Sequence, residues 1–239
     1  MVKEKGKEKA AKATRRKEAA GLAPDLAPWD DGFAPWDPGY DAGQAELIER
    51  LRRDVSARLS GKRLTHSFGV AQTSLWFARR NGVDSFCAEA AGLLHDWDKQ
   101  LSAEELWGKV DAYGIDVPHV EGAWPVLHGL TAAASLPRAY PELPAEVFQA
   151  IARHTTGAPG MSDLDMVVYV ADMIEPSREG GFVKSLRRLA RTATLRQVYA
   201  ECVRVGLIYL LESGRFVYPG ALDVWNDCRT DAPASQDKE

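Results

Sequence analysis

Apolar residues recur at helical spacing along most of the chain from about residue 44 onwards. Around the adjacent pair His95-Asp96, apolar residues repeat every three or four positions: Phe86, Ala90, Leu93, Leu94 and Trp97. That spacing is typical of one buried face of a helix. No segment rich in Val, Ile and Thr alternates between apolar and polar in the manner of a half-buried strand. The pattern predicts an all-α domain.

The predicted helices are separated by residues that end helices or form turns. Breaks are expected at Gly61, Asn81-Gly82, Gly114, Pro137, Pro141, Gly157-Ala158-Pro159-Gly160 and Pro176. N-caps are expected at Asp84, Ser102 and Ser162. Helices are therefore predicted over residues 44–59, 62–80, 84–97, 102–113, 124–136, 144–155, 162–175, 182–190, 193–213 and 220–227.

The N-terminal region has a different composition. Residues 1–20 carry eight basic and three acidic side chains, and residues 21–43 carry five aspartates and no basic residue. The second part repeats Ala-Pro-Trp-Asp at 27–30 and 34–37, so it is either a linker or a docking motif that displays Trp29 and Trp36. We expect a disordered tail and linker over residues 1–43, one folded domain over 44–228 and a disordered tail over 229–239.

Composition narrows the class of protein. The chain has 239 residues, of which 45% are hydrophobic, so one sizeable core is expected. A net charge of -4 and a pI near 5.8 give no electrostatic basis for nucleic-acid binding. Three scattered cysteines, Cys87, Cys202 and Cys228, fit core thiols in a reducing compartment. Since the sequence also contains no apolar segment of membrane-spanning length and no secretory signal, we expect a cytoplasmic protein without membrane contact.

Imidazoles and carboxylates lie on the inward faces of several predicted helices. Six residues share this placement: His66, His95, Asp96, His128, His154 and Asp172. A lone inward histidine is more often a hydrogen-bonded core residue, but four imidazoles and two carboxylates in one domain match the ligands of divalent transition metals. They suffice for two ions if one carboxylate bridges, and the absence of cysteine argues against a closed structural zinc site. His119 lies on no helical face and receives no role.

Cations and a hydroxyl group flank these residues. Arg63 lies three residues before His66, Lys99 three after Asp96, Thr155 directly after His154, and Arg178 six after Asp172. Such donors beside metal ligands suit the oxygens of a polyphosphate, whose charge the metals alone would not neutralise. Phosphate chemistry is therefore expected at the cluster.

These residues also carry a resemblance to a known family. Their order resembles the H…HD…D signature of the HD superfamily of metal-dependent phosphohydrolases. Longer strings, over about residues 46–228, are similar to the YqeK-like family, the symmetrical diadenosine tetraphosphate hydrolases: Arg63-x-x-His66, Leu93-Leu94-His95-Asp96-x-x-Lys99, Leu127-His128-Gly129, His154-Thr155-Thr156-Gly157 and Asp172-x-Ile174-Glu175-Pro176-x-Arg178. The late segment Tyr218-Pro219-Gly220-Ala221-Leu222 resembles the family's C-terminal nucleotide-contacting motif.

The resemblance implies an all-α HD fold, an iron centre and hydrolysis of diadenosine tetraphosphate to two ADP, although manganese, cobalt and zinc accept the same ligands. It implies that the first metal is held by His66, His95, Asp96 and Asp172, with Asp96 able to bridge. His128 and His154 would then serve the second metal or the phosphate. Asp96 and Lys99 are the implied catalytic residues, and the implied substrate contacts are Arg63, Lys99, His128, His154, Thr155, Arg178 and Tyr218.

The chain departs from the family pattern at three places. Asp98 stands where a small residue is usual, Glu179-Gly180-Gly181 replaces a turn that contains Phe-Pro, and Tyr218 stands where a His is common. Two other functions stay open: an HD enzyme for another nucleotide phosphoester, and a non-catalytic module that binds metal or nucleotide. A homodimer and a protein partner for the N-terminal tail also stay open.

Overall fold

The structure, a computed structural model, describes residues 26–35, 37–120 and 122–232. This part of the chain forms ten α-helices and two short 3-10 turns, with no strand, so the all-α prediction is confirmed. The helices are α1 (Ala42–Arg58), α2 (Gly61–Asn81), α3 (Ser85–Leu94), α4 (Ala103–Tyr113), α5 (His128–Ala139), α6 (Ala145–Arg153), α7 (Asp163–Ile174), α8 (Gly181–Thr192), α9 (Leu195–Glu212) and α10 (Ala221–Cys228). The 3-10 turns are Trp124–Val126 and Arg229–Asp231.

Helix α3 lies at the centre of the domain. Nine of its ten residues, Phe86 to Leu94, are buried, as expected for a helix that is apolar on every side. It packs against α1, α2, α6 and α7, and α5 packs on the far side of α6. The polar residues that follow α3 therefore emerge in the interior of the bundle.

The predicted caps form as expected. The Asp84 carboxylate accepts a hydrogen bond from the amide of Cys87 at the start of α3. Ser102 and Ser162 each form a capping box with the side chain three residues later, at the starts of α4 and α7. These caps satisfy amide groups that have no partner within the helix, and they fix where α3, α4 and α7 begin.

Two helices, α3 and α5, have bounds that differ from the prediction by three residues or more. Helix α3 ends at Leu94 instead of residue 97. In a longer helix the Gly92 carbonyl would accept from the Asp96 amide, but here it accepts from the His95 ring at 2.8 Å. Residues 95–100 form tight turns instead, with Lys99 N on Asp96 O at 2.9 Å. Helix α5 continues through Pro137, which lacks an amide donor but lies near the C-terminal end of the helix. At the other end, residues 124–126 form a separate 3-10 turn instead of the first turn of α5.

The described part of the segment before α1 packs on the domain. We call residues 26–35 and 37–41 the N-terminal strap. Ala27 is fully buried, Asp30 pairs with Arg191 at 2.5 Å, and the Tyr40 hydroxyl donates to Glu89 at 2.6 Å. The expected disorder of residues 1–25, the display of Trp36 and the tail 233–239 lie outside the described residues. Residues 229–231 continue from α10 as a 3-10 turn.

The three cysteines agree with the sequence interpretation. Cys87, Cys202 and Cys228 are all buried and none forms a disulfide. Within the part of the chain that the structure describes, no helix is long and apolar enough to cross a membrane.

Candidate metal centre

Five elements bring the six predicted ligand residues into one buried cluster. His66 comes from α2, His95 and Asp96 from the turn after α3, His128 from the first position of α5, His154 from the turn after α6 and Asp172 from α7. Five of these residues are buried, and the Asp172 side chain is 19% exposed. The cluster therefore has one wetter side, at Asp172.

His66, His95, Asp96 and Asp172 form the first half of the cluster. His66 Nε2 lies 2.9 Å from Asp172 Oδ1 and 3.2 Å from His95 Nε2. Asp96 Oδ2 lies 3.8 Å from His66 Nε2 and 3.7 Å from His95 Nε2. Ligand atoms of His66, His95 and Asp96 all lie within 4.8 Å of one another, which is close enough for one ion to bind all three.

Asp96, His128 and His154 form the second half. Here the other carboxylate oxygen of Asp96, Oδ1, lies 3.1 Å from His128 Nε2 and 3.9 Å from His154 Nε2. The two imidazole Nε2 atoms are 3.0 Å apart, and the ligand atoms again lie within 4.8 Å of one another. Asp96 thus presents one oxygen to each half of the cluster.

The orientation of the four imidazoles argues that a cation belongs between them. Each ring directs Nδ1 outward to an oxygen acceptor at 2.7 to 3.0 Å: Glu175 for His66, Gly92 for His95, Pro125 for His128 and Ile151 for His154. A neutral ring that donates through Nδ1 keeps a lone pair on Nε2. Adjacent nitrogen ligands at about 2.1 Å from a metal stand roughly 3 to 3.4 Å apart, and the Nε2 pairs match that spacing.

The electrostatics of the cluster set the protonation states. Burial lowers the pKa of His95, and burial with the neighbouring His128 and His95 rings holds the pKa of His154 well below its usual range. Burial raises the pKa of Asp96, but the rings of His95 and His128 and the Lys99 ammonium reverse this, so the carboxyl stays ionised. Two neutral imidazoles and an anionic carboxylate are the forms that bind metals.

His66 differs from the other rings because it lies between two carboxylates. Burial lowers its pKa, but the Asp172 and Glu175 carboxylates outweigh burial and raise the pKa of His66 to about 9. Its Nε2 therefore holds a proton at the point where it faces Asp172, His95 and Asp96. A divalent ion at that point would replace the proton. The donor set thus fits a divalent metal.

Four predicted phosphate contacts surround the cluster. Arg63 Nη1 lies 3.3 Å from Asp96 Oδ2, and Arg178 Nη2 lies 2.6 Å from Asp172 Oδ1. Lys99 Nζ lies 3.3 Å from His128 Nδ1, and Thr155 Oγ1 lies 2.9 Å from His154 Nε2. The Arg63 and Arg178 side chains are 44% and 43% exposed, so these two cations flank the accessible side of the cluster.

Two other residues lie apart from the cluster. Tyr218 is half-buried in the turn before α10, where burial and the Asp116 carboxylate raise its pKa, and within the described ranges it forms no hydrogen bond to a ligand residue. The structure therefore does not bring this predicted substrate contact into the cluster. His119 stacks on Trp107 with ring centroids 3.9 Å apart.

Two buried carboxylates that support the cluster received no role from the sequence. Glu175 accepts from His66 Nδ1 at 2.9 Å and from the Ser177 amide at 2.7 Å. A Cβ at Gly69, one turn after His66, would lie 2.5 Å from Glu175 Oε2, so only glycine leaves room for this carboxylate. The sequence contained one indication of this role: Glu175 follows Asp172 by three residues and directly precedes Pro176, so it lies where α7 has to end.

Asp98 is the second supporting carboxylate. It is fully buried and accepts from Arg58 at 2.8 Å, from Lys109 at 2.5 Å and from the Thr131 hydroxyl at 2.8 Å. These partners lie on α1, α4 and α5, so Asp98 fixes the turn that carries Asp96 against three helices. Its position two residues after Asp96 gave no indication of this network.

Comparisons with known proteins agree with this geometry. The HD domain family matches residues 63–177, which contain all six candidate ligands. The symmetrical bis(5'-nucleosyl)-tetraphosphatase of Bacillus subtilis (strain 168) is 32% identical over 177 residues, which cover 72% of this chain and 92% of the relative. The Staphylococcus aureus enzyme of the same name is 29% identical over 180 residues, which cover 75% of this chain and 93% of the relative.

A solved structure shares the fold. It is described as a predicted HD superfamily hydrolase involved in NAD metabolism, from Clostridium acetobutylicum, and it superposes with a TM-score of 0.70 at 28% identity. The match covers 76% of this chain and 96% of that one. The chain therefore belongs to the HD superfamily, in the YqeK-like family of symmetrical bis(5'-nucleosyl)-tetraphosphatases.

Proposed function

We propose that this protein hydrolyses diadenosine tetraphosphate symmetrically, giving two molecules of ADP, at the centre built around Asp96. The observation that carries the proposal is the position of this carboxylate, which directs Oδ2 to His66 and His95 and Oδ1 to His128 and His154. Relatives named for this reaction align with most of their length. A centre that can hold two ions is suited to displacement at phosphorus.

The metal ligands in this proposal are His66, His95, Asp96 and Asp172 for the first ion and Asp96, His128 and His154 for the second. We propose iron as the native metal, on the resemblance to the family; imidazole and carboxylate ligands also accept manganese, cobalt and zinc. The bound metal supplies Lewis-acid chemistry, because it lowers the pKa of water and neutralises charge on phosphate oxygens.

The cations around the cluster bind and orient the polyphosphate. Arg63 and Arg178, both partly exposed, receive the phosphate oxygens at the entrance, and the Thr155 hydroxyl donates to an oxygen deeper in the site. Arg178 is already directed by Asp172, whose carboxylate and carbonyl accept from Nη2 and Nε. Its guanidinium is therefore held in place before substrate binds.

Lys99 stabilises the leaving group. The water oxygen forms a bond to one of the two middle phosphorus atoms. The bond from that phosphorus to the oxygen it shares with the other middle phosphorus breaks, so that one ADP leaves with the bond electrons. The remaining protons of water pass to solvent. Burial lowers the pKa of Lys99, and the Asp96 and Asp172 carboxylates reverse this only in part. In this proposal the Lys99 ammonium faces the charge that grows on the leaving oxygen.

Incubation of anaerobically purified protein with diadenosine tetraphosphate tests this proposal, with chromatographic separation of the products. ADP as the only product supports symmetrical cleavage. ATP together with AMP would contradict it. Turnover of another nucleotide phosphoester but not of diadenosine tetraphosphate would favour a different HD hydrolase, and bound metal without turnover would favour the binding module.

Contact between Tyr218 and the nucleotide is also a proposal, supported by the resemblance of residues 218–222 alone. A Tyr218→Phe variant keeps the ring and removes the hydroxyl. If the hydroxyl binds the nucleotide, the variant raises KM for diadenosine tetraphosphate and leaves kcat unchanged. An unchanged KM would remove this residue from the substrate site.

A further inference from the structure

The N-terminal strap reaches a residue that holds the edge of the metal centre. The Trp29 ring packs edge-on against Trp76 of α2, with centroids 5.0 Å apart. The guanidinium of Arg187, on α8, lies 5.2 Å from the centroid of the Trp29 ring. An arginine over an aromatic face is held by a cation–π interaction, so Trp29 restricts where Arg187 can lie.

Arg187 holds the turn that ends α7. Its Nε donates to the carbonyl of Ile174 at 2.9 Å, and its Nη2 donates to the carbonyls of Glu175 at 2.6 Å and Arg178 at 3.2 Å. These carbonyls belong to the end of α7 and the residues after it, where no further helical turn supplies amide donors. The Glu175 carbonyl also accepts from the Arg178 amide at 3.0 Å. One planar guanidinium therefore fixes the backbone over residues 174–178.

The same turn carries two side chains of the site. Glu175 binds the outer nitrogen of His66, and Arg178 binds the Asp172 carboxylate. The link from this turn to α8 gives little support, because it runs through Gly180 and Gly181, and Gly180 has a φ of 138°, a conformation that favours glycine. Arg187 therefore supports the turn from α8, in addition to the bonds of Ser177 to the Glu175 carboxylate.

The strap is anchored independently of the site. The Asp30 carboxylate pairs with Arg191, one helical turn after Arg187, and caps the amide of Ala27 at 2.7 Å. Arg191 also lies 5.7 Å from the Trp29 ring centroid. Trp29 therefore lies between α2 and α8 in a defined place. Trp29 and Arg187 both lie outside residues 63–177, which the HD domain family matches.

We propose that Trp29 and Arg187 are positioning residues of the metal centre: the strap fixes Arg187, and Arg187 fixes the turn that carries Glu175 and Arg178. The inference rests on the proposed function for its effect on turnover, but its effect on metal retention does not depend on any substrate. Residues that orient metal ligands typically change metal affinity or activity by about 10- to 100-fold when they are lost.

Two variants of the full-length chain test the pair. Trp29→Ala removes the aromatic face, and Arg187→Lys keeps the charge of α8 but cannot donate to three carbonyls from one rigid plane. Each is loaded with Co²⁺, and the rate of Co²⁺ release into excess chelator is measured together with kcat for diadenosine tetraphosphate. We expect release to accelerate and kcat to fall by about tenfold in both variants.

Three comparisons separate positioning from a general loss of stability. Tyr40→Phe loosens the other end of the strap, where the hydroxyl binds Glu89, and is expected to lower Tm while Co²⁺ release and kcat stay within about twofold of wild type. Trp29→Phe retains an aromatic face for Arg187 and is expected to restore both quantities. The double variant of Trp29→Ala with Arg187→Lys is expected to be no worse than either single variant, because both act through one contact.

Additive losses in the double variant would overturn the proposal, as would Tyr40→Phe losses equal to those of Trp29→Ala. Co²⁺ release within about threefold of wild type in Arg187→Lys would also overturn it, and this variant decides the matter if Trp29→Ala does not fold. A wild-type protein that holds Co²⁺ but leaves diadenosine tetraphosphate intact would contradict the proposed function alone, since the release rates still test the positioning.

Discussion

Replacement of Glu175 by glutamine tests whether a buried carboxylate outside the ligand set controls metal affinity. Glu175 is fully buried, and its side chain accepts from His66, from the Ser177 amide and from the Ser177 hydroxyl at 2.9, 2.7 and 2.6 Å. Glutamine has nearly the same shape, but it is neutral and exchanges one acceptor oxygen for an NH₂ donor. If the remaining oxygen faces His66, that donor faces the Ser177 amide.

The magnitude follows from the change in the His66 hydrogen bond. A hydrogen bond to a charged group contributes about 1.5 to 3 kcal/mol, and a neutral one contributes about 0.5 to 1.5 kcal/mol. The variant should therefore lose about 1 to 1.5 kcal/mol of the interaction that orients the ring. Since about 1.4 kcal/mol is tenfold in an equilibrium constant, the metal Kd should rise roughly tenfold.

The assay is a titration of the metal-free full chain with Co²⁺, followed by its visible absorption. Asp165→Asn is the matched control, because Asp165 is a fully buried carboxylate on the same helix that binds Arg153, Gln149 and Ser162 but no ligand. The control should lower Tm and leave the Co²⁺ Kd unchanged. A Kd for Glu175→Gln within about twofold of wild type would refute the reasoning.

Four further substitutions have distinct expected outcomes. Asp96→Ala should abolish both metal binding and turnover, because the Asp96 carboxylate faces both halves of the cluster. Full metal occupancy of this variant, measured by elemental analysis, would contradict that role. Lys99→Ala should keep the metal and lose about 2.7 to 4 kcal/mol of transition-state stabilisation in kcat, whereas His119→Ala should alter neither quantity. Asp98→Ala should lower the free energy of unfolding by about 3 kcal/mol in denaturant titration, because Arg58 and Lys109 lose a buried partner; a loss below about 1 kcal/mol would count against its supporting role.

The helical pattern places the candidate ligand residues on inward helix faces. An imidazole or carboxylate four residues from a buried Val or Ala must point into the core, and a buried polar group needs a partner. His66, His128 and Asp172 were each placed inward by this reasoning, and the structure brings them together. Periodicity could not find the end of α3, since apolar spacing continues through Trp97 although the His95 ring takes the Gly92 carbonyl.

The supporting residues were harder to predict because their partners are remote in the sequence. Asp98 reads as an ordinary charge near the end of a helix until Arg58, Lys109 and Thr131 are seen to converge on it. Glu175 is adjacent to a recognisable motif, yet its partner His66 is 109 residues away. Sequence spacing describes the face of one helix and gives no information on which helix lies opposite.

The N-terminal strap shows what composition alone could not indicate. A segment rich in Pro, Gly and Asp buries too little apolar surface to fold alone, and this favoured a linker. A single Trp changes that balance, because its large ring packs against Trp76 while two arginines of α8 lie over its face. Those arginines belong to the element that also holds the turn beside His66. A segment outside the catalytic domain's sequence signature can therefore influence the metal centre through one stacked cation, a coupling that no local pattern in either segment reveals.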